Sequence, residues 1–251
     1  MEPFRIVIPA RYESSRLPGK VLLDLAGKPM IQHVWLRACE SGASEVIIAT
    51  DDDRVAAAAR SFGAEVCMTS AACKSGTDRV AEVCSQRNWE QDIPIVNVQG
   101  DAPLIPPKSI RTVAALLIDN PAAAMATLCV PIRNREEFVD TNVVKVVFSK
   151  AGKALYFSRA PIPAAGHYNN NSTAPILGWR HLGLYAYRIA ALQKLKLSTP
   201  CELELTERLE QLRALWLGME ILIAVDNAAD APDVDTKDDL QRVDALLKEQ
   251  N

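Results

Sequence analysis

Short unbroken apolar runs recur along the first half of the chain: Ile6-Val7-Ile8, Ile47-Ile48 and Ile95-Val96. A strand with one wet face alternates apolar and polar residues. A run without that alternation belongs to a strand covered on both faces, as in parallel sheets. Between the runs lie segments of helical spacing, such as Ile31, Val34, Trp35 and Ala38. Strands alternating with helices imply crossover connections and a mainly parallel sheet.

The predicted strands are Phe4–Ile8, Glu45–Ala49, Glu65–Met68 and Ile93–Val98, with helices over Ile31–Cys39, Arg54–Phe62 and Thr77–Gln86. Gly63 suits the end of the second helix, and Ser75 or Thr77 the start of the third. The second half is less regular. Ala124–Val130, Val143–Phe148, Ala154–Phe157, Leu182–Tyr187 and Ile221–Val225 read as strands. Leu203–Leu217 reads as one helix, apolar at 205, 209, 212 and 216, and Thr236–Lys248 as the last, capped by Asp235 or Thr236. Residues 168–175 form a polar, asparagine-rich loop. No linker divides the chain. The expectation is a three-layer α/β fold with a mainly parallel, mixed sheet and a smaller inserted sheet region.

The 251 residues carry 49% apolar and 24% charged side chains, a soluble globular balance, and the net charge of −3 argues against general nucleic-acid binding. No apolar run is long enough to span a bilayer, and Glu2 and Pro3 precede a run too short for a signal peptide. The six cysteines show no CxxC pairing and read as small apolar residues, which fits a cytoplasmic setting.

In open α/β sheets, ligands bind beyond the carboxyl ends of the strands. The first strand runs into Pro9-Ala10-Arg11 and a turn-rich loop with Arg16, Pro18-Gly19 and Lys20, a cationic setting for a polyanion. The strand before Gln99 delivers Gly100 and Asp101, and a late loop carries Asp235. Two carboxylates facing three cations make a plausible magnesium–nucleotide site, since Mg²⁺ takes hard oxygen ligands and phosphate oxygens. Neither GxGxxG nor a Walker loop occurs, nor GxSxG or HExxH.

Nine segments then resemble one family, in order: Ile8–Lys20, Gly27–Met30, Ala49–Asp52, Ser75–Arg79, Asn97–Asp101, Ala154–Arg159, Arg180–Tyr185, Leu209–Arg213 and Val234–Thr236. They are similar to the 3-deoxy-manno-octulosonate (Kdo) cytidylyltransferases, or CMP-Kdo synthetases, of Gram-negative bacteria. The resemblance implies a nucleotide-diphospho-sugar transferase-like fold, a single nucleotidyltransferase domain over 1–251, and a subregion over 124–190 for sugar binding and dimerisation. It implies CTP and Kdo as substrates, CMP-Kdo and pyrophosphate as products, a homodimer, and a place in lipopolysaccharide synthesis.

By motif, Pro9, Ala10 and Arg11 would line the nucleotide and Arg16 and Lys20 the phosphates. Ser75, Thr77 and Arg79 would lie near base and ribose, and Gln99 near ribose or sugar. Asp101 and Asp235 would bind Mg²⁺, and Arg159, His181, Tyr185 and Glu210 would hold the sugar acid. Lys20, Arg16, Asp101 and Asp235 are the expected catalytic set. The chain departs from the family pattern at Ala102, at Cys73-Lys74 and at Ala164-Ala165-Gly166. Rival readings are a cytidylyltransferase for 8-amino-Kdo or a sialic acid, a sugar-1-phosphate nucleotidyltransferase, and a silent nucleotide-binding protein.

Overall fold

The computed structural model describes residues 2–13, 17–164, 178–227 and 234–249. Arg16, the loop over 168–175 and the departure at Ala165-Gly166 lie outside them. The first half contains β1 Arg5–Pro9, β2 Asp24–Leu25, β3 Lys28–Pro29, α1 Met30–Glu40, β4 Glu45–Thr50, α2 Asp53–Ser61, β5 Glu65–Met68, α3 Gly76–Arg87, β6 Ile95–Asn97 and α4 Pro107–Ile118. The second half contains β7 Met125–Pro131, α5 Arg135–Val139, β8 Lys145–Phe148, β9 Ala154–Ser158, β10 Trp179–Tyr187, α6 Ile189–Leu197, α7 Glu202–Glu207, α8 Gln211–Trp216, β11 Ile221–Val225 and α9 Lys237–Glu249.

The main sheet runs β11-β7-β10-β6-β1-β4-β5, and along that path only β10 is antiparallel to its neighbours. The inserted region is the β8–β9 hairpin, which hangs from β10 by pairing Lys145 with Arg180. The strands are covered on both faces, as the unbroken apolar runs require. Ile6 and Ile8 face a layer formed by α1, α2 and α4, whereas Val7 faces a layer formed by α3, α6 and α8.

A third, smaller core positions the site. Leu25 and Met30 pack against Val243 and Leu247 of α9 and against Val234, which precedes Asp235. Ala26 N–H donates to Asp244 at 2.8 Å and fixes the same contact. The last helix is thereby docked beside the loop after β1.

Two glycines set the loop geometry. Gly19 has φ of 69°, and a Cβ there would lie 3.0 Å from the Tyr12 ring. Tyr12 is in turn covered by the Arg54 guanidinium, 3.4 Å from its centroid, and Arg54 is held by Asp52 at 2.6 Å. A Cβ on Gly100 would fall 2.9 Å from the Pro9 carbonyl oxygen and 3.3 Å from Ile31 Cδ1. Glycine therefore lets the β6 loop lie directly on the end of β1.

The predicted helix over Leu203–Leu217 is broken. Arg208 adopts a left-handed φ of 54° between α7 and α8. The single apolar stripe does not survive the break: Leu209 and Leu212 are buried, while Leu205 and Trp216 are 65% and 62% exposed. Cys67, Cys84, Cys129 and Cys201 are buried, but Cys39 is exposed and Cys73 half-buried.

Gly100→Ala is expected to destabilise the fold by about 1–3 kcal/mol, because backbone rather than a flexible side chain must move. Gly183→Ala, whose Cβ would meet nothing within 4 Å, should change stability by less than about 0.5 kcal/mol. Urea unfolding of both variants checks the contrast.

Candidate active site

Three cavities meet along the carboxyl ends of β1 and β6 and the adjoining strand β10, and Gln99 lines all of them. The first has a volume of about 240 Å³ and is walled by Pro9, Arg11, Lys20, Cys73, Lys74, Ser75, Arg79, Asp101 and Asp235 among others. The second, of about 200 Å³, lies at the junction and includes Thr77, Asn97, Tyr185, Tyr187 and Glu210. The third, of about 450 Å³, includes Ala102, Asn142, Arg180, His181, Leu184, Tyr185, Leu209 and Gln211.

At the first cavity, Lys20 Nζ donates to Asp101 Oδ2 at 2.6 Å, Asp235 Oδ1 at 3.2 Å and the Val234 carbonyl at 3.1 Å. Burial disfavours the ammonium, but Asp101 and then Asp235 outweigh it, and the lysine pKa is raised. Thr236, not Asp235, caps α9: its hydroxyl accepts from Asp239 N–H at 3.1 Å, and Asp239 accepts from Thr236 N–H at 3.0 Å. Both aspartates converge on one nitrogen, so hard oxygen donors from two strand-end loops already address a single cation position. Among the described residues no group of three or more potential metal-binding side chains clusters. The pair therefore suits an ion that takes its remaining ligands from substrate and water.

The other predicted nucleotide residues divide by what they bond. Ser75 caps α3 in a capping box with Asp78 and lines the cavity. Ala10 turns its methyl into the core, 1% exposed, and its N–H donates to Ala49 O at 2.8 Å. Arg79 is 4% exposed, and its guanidinium is held by Asp51 at 3.0 Å and by Thr69 Oγ1. Arg11 and Lys74 are exposed at the cavity wall. Lys74 was legible in the sequence only as a departure from pattern; its place on the wall follows from the α3 cap that it precedes.

At the junction cavity, Thr77 Oγ1 donates to Glu210 Oε2, and Glu210 Oε1 accepts from Arg213 at 3.3 Å. The register of β10 against β7 shifts between Leu182 and Tyr185. Fully buried Thr127 bonds the carbonyls of that bulge, Leu182 O at 3.1 Å and Leu184 O at 2.8 Å, and His181 Nε2 at 3.0 Å. Bulges re-aim side chains beside active sites, and here His181 and Tyr185 stand 5.2 Å apart on the same cavity wall. Burial pushes the His181 pKa down to about 3, so the imidazole is neutral. Burial, with Tyr187 and Glu210 nearby, raises the Tyr185 phenol well above its usual value. No described group bonds Tyr185 Oη or Asn97 Oδ1, although both residues are more than nine-tenths buried. Each lines the junction cavity, where a ligand can satisfy it.

Arg159 is placed differently. It lines none of these three cavities, and its Nε and Nη1 donate to the carbonyls of Glu207 and Thr141, each at 2.9 Å. Asn97 and Gln211 join the walls although neither is assigned a role of its own within its marked segment. Asn97 sits inside an apolar strand and Gln211 follows the unforeseen helix break.

Residues 5–221 match the family model described as cytidylyltransferase. The chain belongs to the cytidylyltransferase family. This cytidylyltransferase is 51% identical over 247 residues to the 3-deoxy-manno-octulosonate cytidylyltransferase of Thioalkalivibrio sulfidiphilus, covering 98% of this chain and 99% of that one. It is 50% identical over 251 residues to the enzyme of that name from Hahella chejuensis, covering 98% of each. Among solved structures it resembles a CMP:2-keto-3-deoxy-manno-octonic acid synthetase complexed with CTP, with a TM-score of 0.90, 43% identity and full coverage of both chains. A cytidylyltransferase from Leptospira borgpetersenii shares the fold, with a TM-score of 0.65 at 17% identity over 99% of this chain and 88% of that one.

The depressed histidine pKa has a consequence for acid stability. The unfolded chain binds this proton near 6.5 and the folded chain only near 3. Across that window unfolding takes up a proton, so stability falls as pH drops below 6.5. His181→Gln should lose less stability than the wild type between pH 6.5 and pH 4. Thermal melts at matched pH values measure the difference.

Proposed function

We propose that this chain transfers the cytidylyl group of CTP to 3-deoxy-D-manno-octulosonate, giving CMP-Kdo and pyrophosphate. The observation that carries the reading is the cleft itself. The Lys20–Asp101–Asp235 cluster stands at one end and the His181, Tyr185 and Glu210 wall at the other, joined through Gln99. The chain around it is 43% identical, end to end, to a synthetase solved with CTP.

In this reading the triphosphate lies against Arg11, Lys74 and Lys20, whose charges offset those of the phosphates. Asp101 and Asp235 would hold Mg²⁺. When bound, that ion lowers the pKa of a coordinated hydroxyl and offsets phosphate charge. Gln99 and the junction residues bring the sugar's anomeric oxygen in line with the α-phosphorus. A bond forms between that oxygen and the α-phosphorus, the hydroxyl's proton passes to water, the bond from the α-phosphorus to the bridging oxygen breaks, and pyrophosphate leaves with that oxygen. Such transfers rest on positioning and charge stabilisation more than on covalent help. His181 is neutral in this wall, so it can bond sugar hydroxyls without adding a charge.

Arg159, assigned to the sugar carboxylate by resemblance, remains part of the proposal, as does Arg16 on the phosphates. A cytoplasmic homodimer serving lipopolysaccharide synthesis completes the reading. Exposed Leu155 on β9 and Leu205 and Trp216 on α7 and α8 support a second copy. No described helix is long and apolar enough to cross a membrane.

Pyrophosphate release from CTP and Mg²⁺ should appear with Kdo and not with sialic acid or sugar 1-phosphates. Release with sialic acid or 8-amino-Kdo in preference to Kdo would reassign the substrate. Asp101→Asn and Asp235→Asn should each lower kcat on the order of 100-fold with a preserved far-UV spectrum. Lys20→Ala should lower kcat more than it raises KM for CTP, because the charge it meets grows in the transition state.

A further inference from the structure

Arg213 is 8% exposed, and each nitrogen of its guanidinium faces an oxygen, Nε through an ion pair and Nη1 and Nη2 through hydrogen bonds. Nε lies 2.9 Å from Glu204 Oε2 on α7. Nη1 donates to the carbonyls of Leu195 and Ser198, at the end of α6, at 3.1 and 2.9 Å. Nη2 donates to Glu210 Oε1 at 3.3 Å. One planar fork therefore ties three helix ends together, an arrangement a lysine cannot reproduce.

The tie falls where the backbone is least self-supporting. Arg208 is left-handed, and residues 208–210 join α7 to α8 without continuous helical bonding. That turn and the first residue of α8 supply three consecutive residues to the cleft: Leu209 on the sugar-side cavity, Glu210 at the junction and Gln211 on both. Arg213 itself lines none of these cavities. Its reach toward substrate runs through Glu210, whose other oxygen accepts from Thr77.

We propose that Arg213 is a positioning residue for the sugar half of the site: it holds the 208–210 turn and aims the Glu210 carboxylate into the junction cavity. The proposal rests on the functional reading above. A purely structural clamp would lower stability and disturb both substrates alike. A positioning clamp acts on one substrate and only through Glu210.

Initial-rate kinetics on full-length wild type, Arg213→Lys, Glu210→Gln and the double variant test it, with CTP, Mg²⁺ and Kdo. Arg213→Lys is expected to raise KM for Kdo about tenfold, with KM for CTP within about twofold and the double variant no worse than Glu210→Gln alone. Equal effects on both KM values, or effects that multiply in the double variant, would overturn it. Should Arg213→Lys fail to fold, Glu204→Gln loosens the same fork and should raise only the Kdo KM, and an unchanged value there also overturns the proposal. A wild type that releases no pyrophosphate with Kdo refutes the functional reading and the proposal with it. An active wild type with multiplying variants refutes the proposal alone.

Discussion

One ammonium group gathers the chain into a site. Lys20 bonds Asp101, 81 residues away, and Asp235, 215 residues away. The two carboxylates would repel one another without a cation between them, and half-burial strengthens that repulsion. The cluster is therefore a place where the fold keeps opposite charges close and incompletely screened. Removing a partner from such a group costs more than the pair itself contributes. A site held in this way is already organised for charge before any substrate arrives.

The rest of the architecture follows from bringing those three residues to one edge. The parallel strands β1 and β6 end side by side, and Gly100 lets their loops touch. The antiparallel insertion of β10 then places a bulged strand next to β6, and the bulge turns His181 and Tyr185 to the same wall. The Lys20–Asp101–Asp235 charge cluster sits at one end of the cleft, and His181 and Tyr185 with the Glu210 carboxylate at the other. That division matches a reaction between a polyanion and a polyhydroxylated acid.

Local pattern made much of this legible in the sequence. Buried strands such as Ile6-Val7-Ile8 and strand-end residues such as Asp101 announce themselves, because burial on two faces and loop chemistry leave compositional marks. The break at Arg208 left none. Arginine has no special preference for left-handed backbone, and the apolar spacing of Leu205, Leu209, Leu212 and Trp216 mimics a helix through it. The α4 helix has no counterpart among the predicted elements, although Pro107 is well suited to its first helical position. Cleft membership of Asn97, Gln211 and Lys74 depends on contacts between distant segments, which no periodicity records. For Arg159 the sequence suggested a ligand contact, and the structure gives its guanidinium two backbone carbonyls.

The docking of α9 onto Leu25 and Met30 has a consequence in time as well as in space. The strands and the first carboxylate leave the ribosome early, and the second emerges only with the segment just before that helix. Until it docks, Lys20 and Asp101 face a half-built partner set, even in a nascent chain whose sheet is complete. Completion of the Lys20 charge cluster thus reports that α9 has docked.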